Sequence, residues 1–194
     1  MILSAFIMRQ DALREMVGGD DLAGKQLKII ELGAGAGLLG ICATLAAQQE
    51  SYKSSSATLT DAEETTTTTL QENLAANASV VQRLPLDAAA LEWTDEGVDF
   101  DTLVPSSTDN LLLLASDVLY NESSHMPFLD TLMRFFKHAA THEMEAKAVV
   151  AYRPRASGDA NFFLMADQAG LQAAVLHRWG DISVHKFAMR KGHR

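Results

Sequence analysis

A glycine-rich stretch near the start of the chain constrains the fold more than any other part of the sequence. Residues 28–41 read KIIELGAGAGLLGI, which predicts a short buried strand, a turn, and a helix that begins near Leu38. Gly33, Gly35 and Gly37 can adopt backbone angles that other residues avoid, and they let a ligand approach the main chain closely. Because the turn opens a helix, its free N–H groups favour an anionic group, so we expect a nucleotide-like cofactor at the carboxyl edge of this strand.

The spacing of the glycines separates two classes of cofactor. The dinucleotide fingerprint G-x-G-x-x-G places its third glycine three positions after the second, where this chain has Leu38. The acidic residue Glu31 lies at the end of the strand, directly before the turn. The resulting pattern, E-x-G-x-G-x-G, is similar to the first motif of class I methyltransferases, which bind S-adenosylmethionine. A glycine-rich turn that binds no ligand is the alternative that this stretch by itself leaves open.

Length and charge limit the remaining possibilities. The chain has 194 residues, which predicts a single domain over residues 1–194. The formal net charge of -9 argues against a nucleic-acid partner, which would require clustered Lys and Arg. Cys42 is the single cysteine, so no intramolecular disulfide forms, and we expect a buried, inert thiol in a cytoplasmic or nuclear protein. The apolar N-terminal residues are too few to span a bilayer, so no membrane association is expected.

Hydrophobic periodicity predicts strands that alternate with helices. The predicted strands cover residues 28–32, 57–60, 80–86, 111–115, 148–152, 171–177 and 182–189. The predicted helices cover residues 2–17, 38–48, 62–78, 123–139 and 160–169. Turns, loops or connectors are predicted at 20–25, 51–56 and 94–109, and residues 87–94 are read as helix or loop. Five consecutive threonines, Thr65–Thr69, fall within the third helix, where β-branching makes them poor helix formers, and no chemistry is assigned to them.

This alternation predicts an α/β fold with right-handed crossovers. We expect a doubly wound, mainly parallel, seven-stranded sheet of the Rossmann-like type. Its last two strands are joined by a polar turn near Gly180, which predicts a C-terminal antiparallel hairpin. Residues 1–24 are expected to add a short N-terminal helix before the first strand.

Three candidate sites lie at the carboxyl ends of predicted strands, where ligands bind in such sheets. Asp61 follows the second strand and could accept hydrogen bonds from ribose hydroxyls, or it could cap the next helix. Trp93 could pack on an adenine ring or belong to the core. Asp117 and Tyr120 follow the leucine-rich strand, and a helical turn there would point both side chains to one side. They could orient a substrate amine, although an N-cap aspartate beside a packed tyrosine is the plainer interpretation.

Other catalytic motifs are missing from the sequence. The six histidines show no metal-ligand spacing with Cys42, and His138 with His142 lacks the glutamate of the H-E-x-x-H motif, so no metal site is predicted. No P-loop, G-x-S-x-G elbow or C-x-x-C pair is present. These absences argue against a hydrolase or a kinase-type enzyme.

Taken together, the motifs resemble methyltransferase family 16, the seven-β-strand protein-lysine methyltransferases. The resemblance covers roughly residues 20–190. It is carried by residues 31–41 (ELGAGAGLLGI), 59–61 (LTD), Asn73, Asn77, 91–93 (LEW), 115–120 (ASDVLY), 151–155 (AYRPR), Phe162 and Phe163. Residues 115–120 include the D-x-x-Y signature of the family, as Asp117 and Tyr120.

The resemblance implies S-adenosylmethionine as cofactor and a protein lysine as methyl acceptor. The cofactor-binding residues that it implies are Glu31, Gly33, Ala34, Gly35, Gly37, Asp61, Trp93 and Ser116. Glu31 and the three glycines would surround the methionine part, Asp61 the ribose and Trp93 the adenine. Asp117 and Tyr120 would face the reacting lysine as the catalytic pair. We expect a monomer.

One departure from the family leaves other functions open. Family members usually have a longer segment before the first motif, commonly with a tryptophan, and this chain has a short one without it. The alternatives are therefore a catalytically impaired binding module with the methyltransferase fold, or a small-molecule methyltransferase. A nicotinamide-dependent oxidoreductase is disfavoured by Leu38 at the third glycine position.

Overall fold

The computed structural model describes residues 2–18, 24–50, 52, 54–81, 83–93, 95–155 and 160–190. Its helices are α1 (Ile2–Ile7), α2 (Ala12–Val17), α3 (Leu38–Ala47), α4 (Glu63–Thr65), α5 (Gln71–Asn77), α6 (Phe100–Leu103), α7 (His125–Thr141) and α8 (Asn161–Gln168). A π-helical segment, Thr66–Leu70, joins α4 to α5, and a 3-10 turn, Glu122–Ser124, precedes α7. The strands are β1 (Gln26–Leu32), β2 (Ser54–Asp61), β3 (Leu86–Ala90), β4 (Asn110–Ser116), β5 (Glu145–Tyr152), β6 (Leu171–Trp179) and β7 (Ile182–Met189).

The seven strands form one sheet in the order β3-β2-β1-β4-β5-β7-β6. Strands β1 to β5 are parallel, and β7 lies antiparallel between β5 and β6. This confirms the predicted doubly wound, mainly parallel sheet with its C-terminal hairpin. The strand order reverses between β1 and β4, and in such sheets the ligand crevice opens at the carboxyl ends of the strands on either side of that point.

The sheet is covered on both faces, as the apolar run in β4 predicts. Leu111 and Leu113 join one core with the phenylalanines of α7 and α8, whereas Leu112 and Leu114 join the opposite core, beneath α1, α2 and α3. Each buried leucine of this strand contributes roughly 1.5–3 kcal/mol by removing apolar surface from water. Burial on both faces therefore fixes the position of Ser116 and Asp117, which follow directly at the carboxyl edge.

Four local predictions were wrong. The helix over residues 2–17 is two helices, because Asp11 takes a left-handed conformation (φ 64°) between α1 and α2. The third strand is Leu86–Ala90 and not residues 80–86: Pro85 precedes it, so the alanine-rich segment read as helix or loop forms this edge strand. Strand β2 begins at Ser54, inside the predicted loop. Residues 94–109 are not connector throughout, because they include α6.

One further prediction falls mostly outside the described residues, and the predicted burial of Cys42 is corrected by the structure. The predicted turn at 20–25 lies outside them except for Gly24 and Lys25. Cys42 is half-buried and not fully enclosed, and burial raises the pKa of its thiol. Within the part of the chain that the structure describes, no helix is both long and apolar enough to cross a bilayer.

Candidate cofactor and active site

The glycine-rich loop between β1 and α3 is held in place by hydrogen bonds inside the protein. Gly33, Gly35 and Gly37 all have positive φ angles, of 69°, 54° and 81°. The N–H of Ala34 donates to the carbonyl of Thr60, and the N–H of Gly37 donates to the carbonyl of Ala34. The N–H of Gly35 donates to Asp61, so three loop N–H groups that we expected to be free for an anion are already used.

A side chain at Gly33 would be crowded, whereas a side chain at Gly35 would have space. A Cβ at Gly33 would lie 2.9 Å from Cγ1 of Val118 and 3.2 Å from the indole of Trp93. A Cβ at Gly35 would have no atom within 4 Å. The loop therefore packs against Trp93 on one side and presents bare backbone to open space at Gly35, as close approach by a ligand requires.

Glu31 lies beneath the loop and is not part of a cavity wall. Its side chain is buried, and Oε2 accepts a hydrogen bond of 2.8 Å from the N–H of Gly40 in the first turn of α3. Burial raises the pKa of Glu31 to about 8, although the bond from Gly40 opposes the shift. This carboxyl group is thus placed to hold the start of α3 against the end of β1.

Asp61, at the end of β2, connects the second strand to the loop. Its Oδ2 accepts a 2.7 Å hydrogen bond from the N–H of Gly35, and its Oδ1 accepts one of 2.8 Å from Ala62. The structure does not show the predicted capping alternative, because the helix that follows has Ala62 at its N-cap and no side-chain cap bond. Since each carboxylate oxygen can accept more than one hydrogen bond, Asp61 retains capacity for a further donor.

A cavity of about 430 Å³ opens beside the loop, at the carboxyl ends of β1, β2, β3 and β4. Pockets of roughly 300–1,000 Å³ are typical of sites for cofactors and small ligands. The predicted site residues that line it are Gly33, Asp61, Trp93, Ser116, Asp117 and Tyr120. Glu31, Ala34, Gly35 and Gly37 are not among its lining residues. The structure thus brings six of the ten predicted residues around one cavity.

Trp93 lines this cavity, and its packing and hydrogen-bond contacts hold it in place. Its indole lies against the glycine loop and packs on Phe128 of α7, with ring centroids 5.1 Å apart. Its main-chain carbonyl accepts a hydrogen bond from Thr131. The ring therefore packs against the core, and the residue also lines the cavity, while its packing on an adenine ring stays a prediction.

Asp117 and Tyr120 lie on irregular backbone, so the helical turn we expected after β4 does not form. Asp117 has a left-handed conformation, with φ at 62°, and its N–H donates to the carbonyl of Ala151 at the end of β5. Both of its carboxylate oxygens accept hydrogen bonds from Arg155, at 2.6 and 2.8 Å. The Arg155 guanidinium also lies 5.8 Å from the centre of the Tyr120 ring. One arginine thus links the two residues that a helical turn was expected to align.

The cavity is acidic. Among the described residues that line it are the carboxylates of Asp61, Glu92 and Asp117, and none of these lining residues is lysine or arginine. Arg155 reaches Asp117 from outside the lining. An enclosure with this charge favours ligands with a net positive charge and disfavours phosphates.

Sequence reasoning missed several residues of the site. Glu92, Ser123, Ser124 and Pro127 line the cavity, and Arg155 pairs with Asp117. Arg155 could have been found, because it lies three residues after β5 and the carboxyl ends of parallel strands meet at one edge. The two serines precede α7 in a polar segment that carried no distinguishing motif.

Comparison with known proteins supports the class of fold. The methyltransferase domain of METTL16 superposes with a TM-score of 0.57 at 9% identity, covering 98% of this chain and 83% of that one. A human methyltransferase 10 domain containing protein gives 0.56 at 10% identity, with 96% and 82% covered. A putative O-methyltransferase from Klebsiella pneumoniae gives 0.55 at 15% identity, with 96% and 78% covered. None of the curated proteins matches the chain significantly in sequence.

The sheet order, the glycine loop and the structural neighbours define a Rossmann-like methyltransferase fold. The sequence profile of the lysine methyltransferase family matches residues 1–169, and the chain belongs to that family. Methyltransferases of this family use S-adenosylmethionine. The residues present fit such a group, because bare backbone at Gly35, an indole face and an acidic cavity suit a cationic sulfonium that carries an adenosine.

Proposed function

We propose that the protein is an S-adenosylmethionine-dependent protein-lysine N-methyltransferase. The observation that carries the proposal is the acidic cavity at the carboxyl edge of the sheet, with Asp117 and Tyr120 beside the glycine loop. A lysine side chain is cationic and long enough to enter such a cavity while the rest of its protein stays outside. Membership of the lysine methyltransferase family supports the same substrate.

The cofactor would be held by the loop and by three strand ends. Gly33 and Gly35 would present backbone to it, the carboxylate of Asp61 would accept hydrogen bonds from its ribose, and Trp93 would pack on its adenine. Ser116 lies at the end of β4, between these residues and Asp117. When bound, the cofactor supplies an electrophilic methyl group on a positively charged sulfur.

The substrate amine has to lose a proton before it can attack, because a free lysine has a pKa of about 10.4. Asp117 and Tyr120 both carry oxygens that can accept hydrogen bonds from an ammonium or an amine. The carboxylates of the cavity favour the ammonium form, and the positive charge of Arg155, next to Asp117 and Tyr120, offsets part of that effect. These residues would bind the amine and orient its lone pair, and the proton of the ammonium form would leave to solvent before the attack.

Orientation should supply much of the rate. A nucleophile that is held in line with its target avoids an entropic barrier of up to about 7–11 kcal/mol. The bidentate contact between Arg155 and Asp117 fixes the carboxylate that would hold the amine. Asp117 is otherwise half-exposed on irregular backbone, so this contact restrains its side chain.

The test combines cofactor binding with methyl transfer. Calorimetric titration with S-adenosylmethionine, with a nicotinamide dinucleotide as control, measures binding. Transfer of a radiolabelled methyl group into a cell lysate, followed by acid hydrolysis and amino-acid analysis, identifies the acceptor. We expect binding of S-adenosylmethionine alone, and label recovered as methyl-lysine.

Two variants make the result specific. Asp117→Asn should bind the cofactor normally and transfer methyl groups at least tenfold more slowly. Asp181→Asn is the matched control, because Asp181 is also a half-exposed aspartate paired with an arginine, Arg153. Label recovered in RNA or in acid-soluble small molecules would overturn the proposed substrate. Cofactor binding without any transfer would instead favour the binding module.

A further inference from the structure

We propose that Asp101, His138 and His142 form a binding site for a divalent transition-metal ion of the zinc type. The two histidines lie one helical turn apart near the end of α7, and Asp101 lies in α6, which the fold brings against that end. One ligand atom from each residue falls within 4.8 Å of the other two. Sequence spacing did not predict this site, because the third ligand is 37 residues before His138 and on a different helix.

The distances suit coordination with small movements. Nδ1 of His138 is 3.9 Å from Oδ1 of Asp101, and Nε2 of His142 is 3.6 Å from the same oxygen. In a tetrahedral zinc site with bonds of about 2.0–2.1 Å, ligand atoms lie roughly 3.3 Å apart. Asp101 has an 80% exposed side chain and can shorten its two distances by rotating, and the histidine nitrogens, which lie within 4.8 Å of each other, would approach by side-chain rotation.

The hydrogen bond of His138 fixes which of its nitrogens can act as a ligand. Nε2 of His138 lies 3.0 Å from the carbonyl oxygen of Val104, which is fully buried. Because a carbonyl can only accept, Nε2 carries the hydrogen, and in the neutral ring Nδ1 then holds a lone pair. That lone pair faces the Asp101 carboxylate. Metal-binding histidines characteristically donate their second ring N–H to a carbonyl or carboxylate in this way.

A positive charge between its members would stabilise the arrangement. A lone pair on Nδ1 and the Asp101 carboxylate repel each other unless a cation or a proton lies between them. Histidine and carboxylate ligands are those that zinc and similar ions accept. The exposed side of Asp101 leaves room for water to complete the coordination. A protonated His142 paired with Asp101 is the competing explanation, and the experiment separates the two.

The site is distant from the candidate active site. His138 follows His125, the first residue of α7, by 13 positions, which corresponds to about 20 Å along the helix. We therefore assign the ion a structural role, in which it ties α6 and the chain around it to the end of α7. This inference does not depend on the proposed methyl transfer.

The test is titration of the metal-free full chain with Zn²⁺, and separately with Co²⁺, followed by calorimetry and by the visible absorption of Co²⁺. We expect one equivalent to bind, with a rise in melting temperature that depends on the metal concentration. Affinity should increase with pH across the range in which histidines lose their protons. Asp101→Asn and His142→Gln should each weaken binding at least tenfold.

Control variants decide between this site and other metal-binding groups. His177→Gln and Asp181→Asn remove a histidine and an aspartate outside the cluster and should leave the affinity unchanged. Equal affinity in Asp101→Asn and the parent chain would overturn the proposal. The absence of metal binding, together with a loss of stability in Asp101→Asn only at acidic pH, would show the ion pair instead.

Discussion

At the scale of single residues, two carboxylates hold the glycine loop and the start of the helix that follows it. Glu31 binds the N–H of Gly40 from below, and Asp61 binds the N–H of Gly35 from the side. The first carboxylate is almost completely buried, whereas the second is only partly buried. A carboxylate therefore serves stability at Glu31 and retains capacity to bind a ligand at Asp61.

Glu31 should make the stability of the protein depend on pH. Its pKa is about 8 in the folded protein against an ordinary value of 4.5. The stability linked to its protonated form is therefore complete below about pH 4.5 and is lost as the pH rises towards 8. Glu31→Gln keeps an acceptor for Gly40 and removes the titration. Urea unfolding from pH 5 to 9 should show a flatter profile for this variant and greater stability at pH 8, by a few kcal/mol at most.

An exposed carboxylate gives the comparison for this measurement. Glu72 lies in the first turn of α5 and is exposed. Glu72→Gln should follow the pH profile of the parent chain. If Glu31→Gln also follows that profile, the pKa of Glu31 is not raised.

Arg155 should matter for catalysis and little for stability. It holds Asp117 through two hydrogen bonds, but exposed ion pairs contribute only about 0–1 kcal/mol to stability. Because a small misplacement of a reacting group can cost about 100-fold in rate, Arg155→Gln should slow methyl transfer tenfold to 100-fold. The affinity for the cofactor should not change. Steady-state transfer and calorimetry on the same preparation measure both quantities.

The chain contains a matched control for this variant. Arg153 makes a similar half-exposed ion pair with Asp181, at 2.7 Å. Arg153→Gln should leave transfer unaffected. Equal losses in both variants would mean that Arg155 acts only through general stability or surface charge.

At the scale of secondary structure, the sequence predicted those elements whose signal is local and strong. The leucine run of β4 and the glycine turn before α3 appeared where expected, because burial on both faces and positive φ angles each require particular residue types. Strand β3 was misplaced because alanines have weak strand preference and its pairing with β2 comes from tertiary structure. The break between α1 and α2 has no proline or glycine to mark it.

The contacts of the threonine patch, Thr65–Thr69, also come from tertiary structure and could not be predicted from the local sequence. Thr66–Leu70 form a π-helical segment, in which the hydroxyl of Thr66 donates to the carbonyl of Asp61. Leu70 is fully buried and lies against Gly37 of the loop. The patch and the adjacent Leu70 therefore contact Asp61 and the glycine loop. A run of identical residues with no periodicity could not indicate these contacts.

The site was predictable where it followed from the position of strand ends. Asp61, Trp93, Ser116 and Asp117 line one cavity because parallel strands end at one edge. The side-chain directions were not predictable. The side chain of Glu31 lies beneath the loop, and Asp117 and Tyr120 are linked by Arg155, which follows another strand.

The loop itself can be tested at Gly35. A Cβ there would meet no atom within 4 Å, so Gly35→Ala should fold and lose only about 1–2 kcal/mol from its left-handed backbone. If the cofactor approaches this backbone, the methyl group should weaken its affinity at least tenfold. Gly24→Ala is the control, because Gly24 also has a positive φ and no neighbour within 4 Å. Calorimetric affinity that falls equally in both variants would contradict the placement of the cofactor.

At the scale of the whole molecule, charge points to the same kind of substrate as the cavity does. The chain carries a net charge of -9, and the cavity wall carries three carboxylates. A field of one sign raises the local concentration of oppositely charged partners. Basic segments around a target lysine should therefore be favoured before any specific contact forms.

This argument predicts how transfer depends on salt and on the peptide around the lysine. A lysine peptide with basic neighbours should have a lower KM than one with acidic neighbours at low ionic strength. The difference should shrink as salt rises, since the screening length falls from about 30 Å at 0.01 M to about 8 Å at 0.15 M. The kcat should change little, because the reacting amine is the same in both peptides. Initial rates for the two peptides at both salt concentrations measure this, and a salt-independent preference would instead assign selectivity to short-range contacts near the cavity.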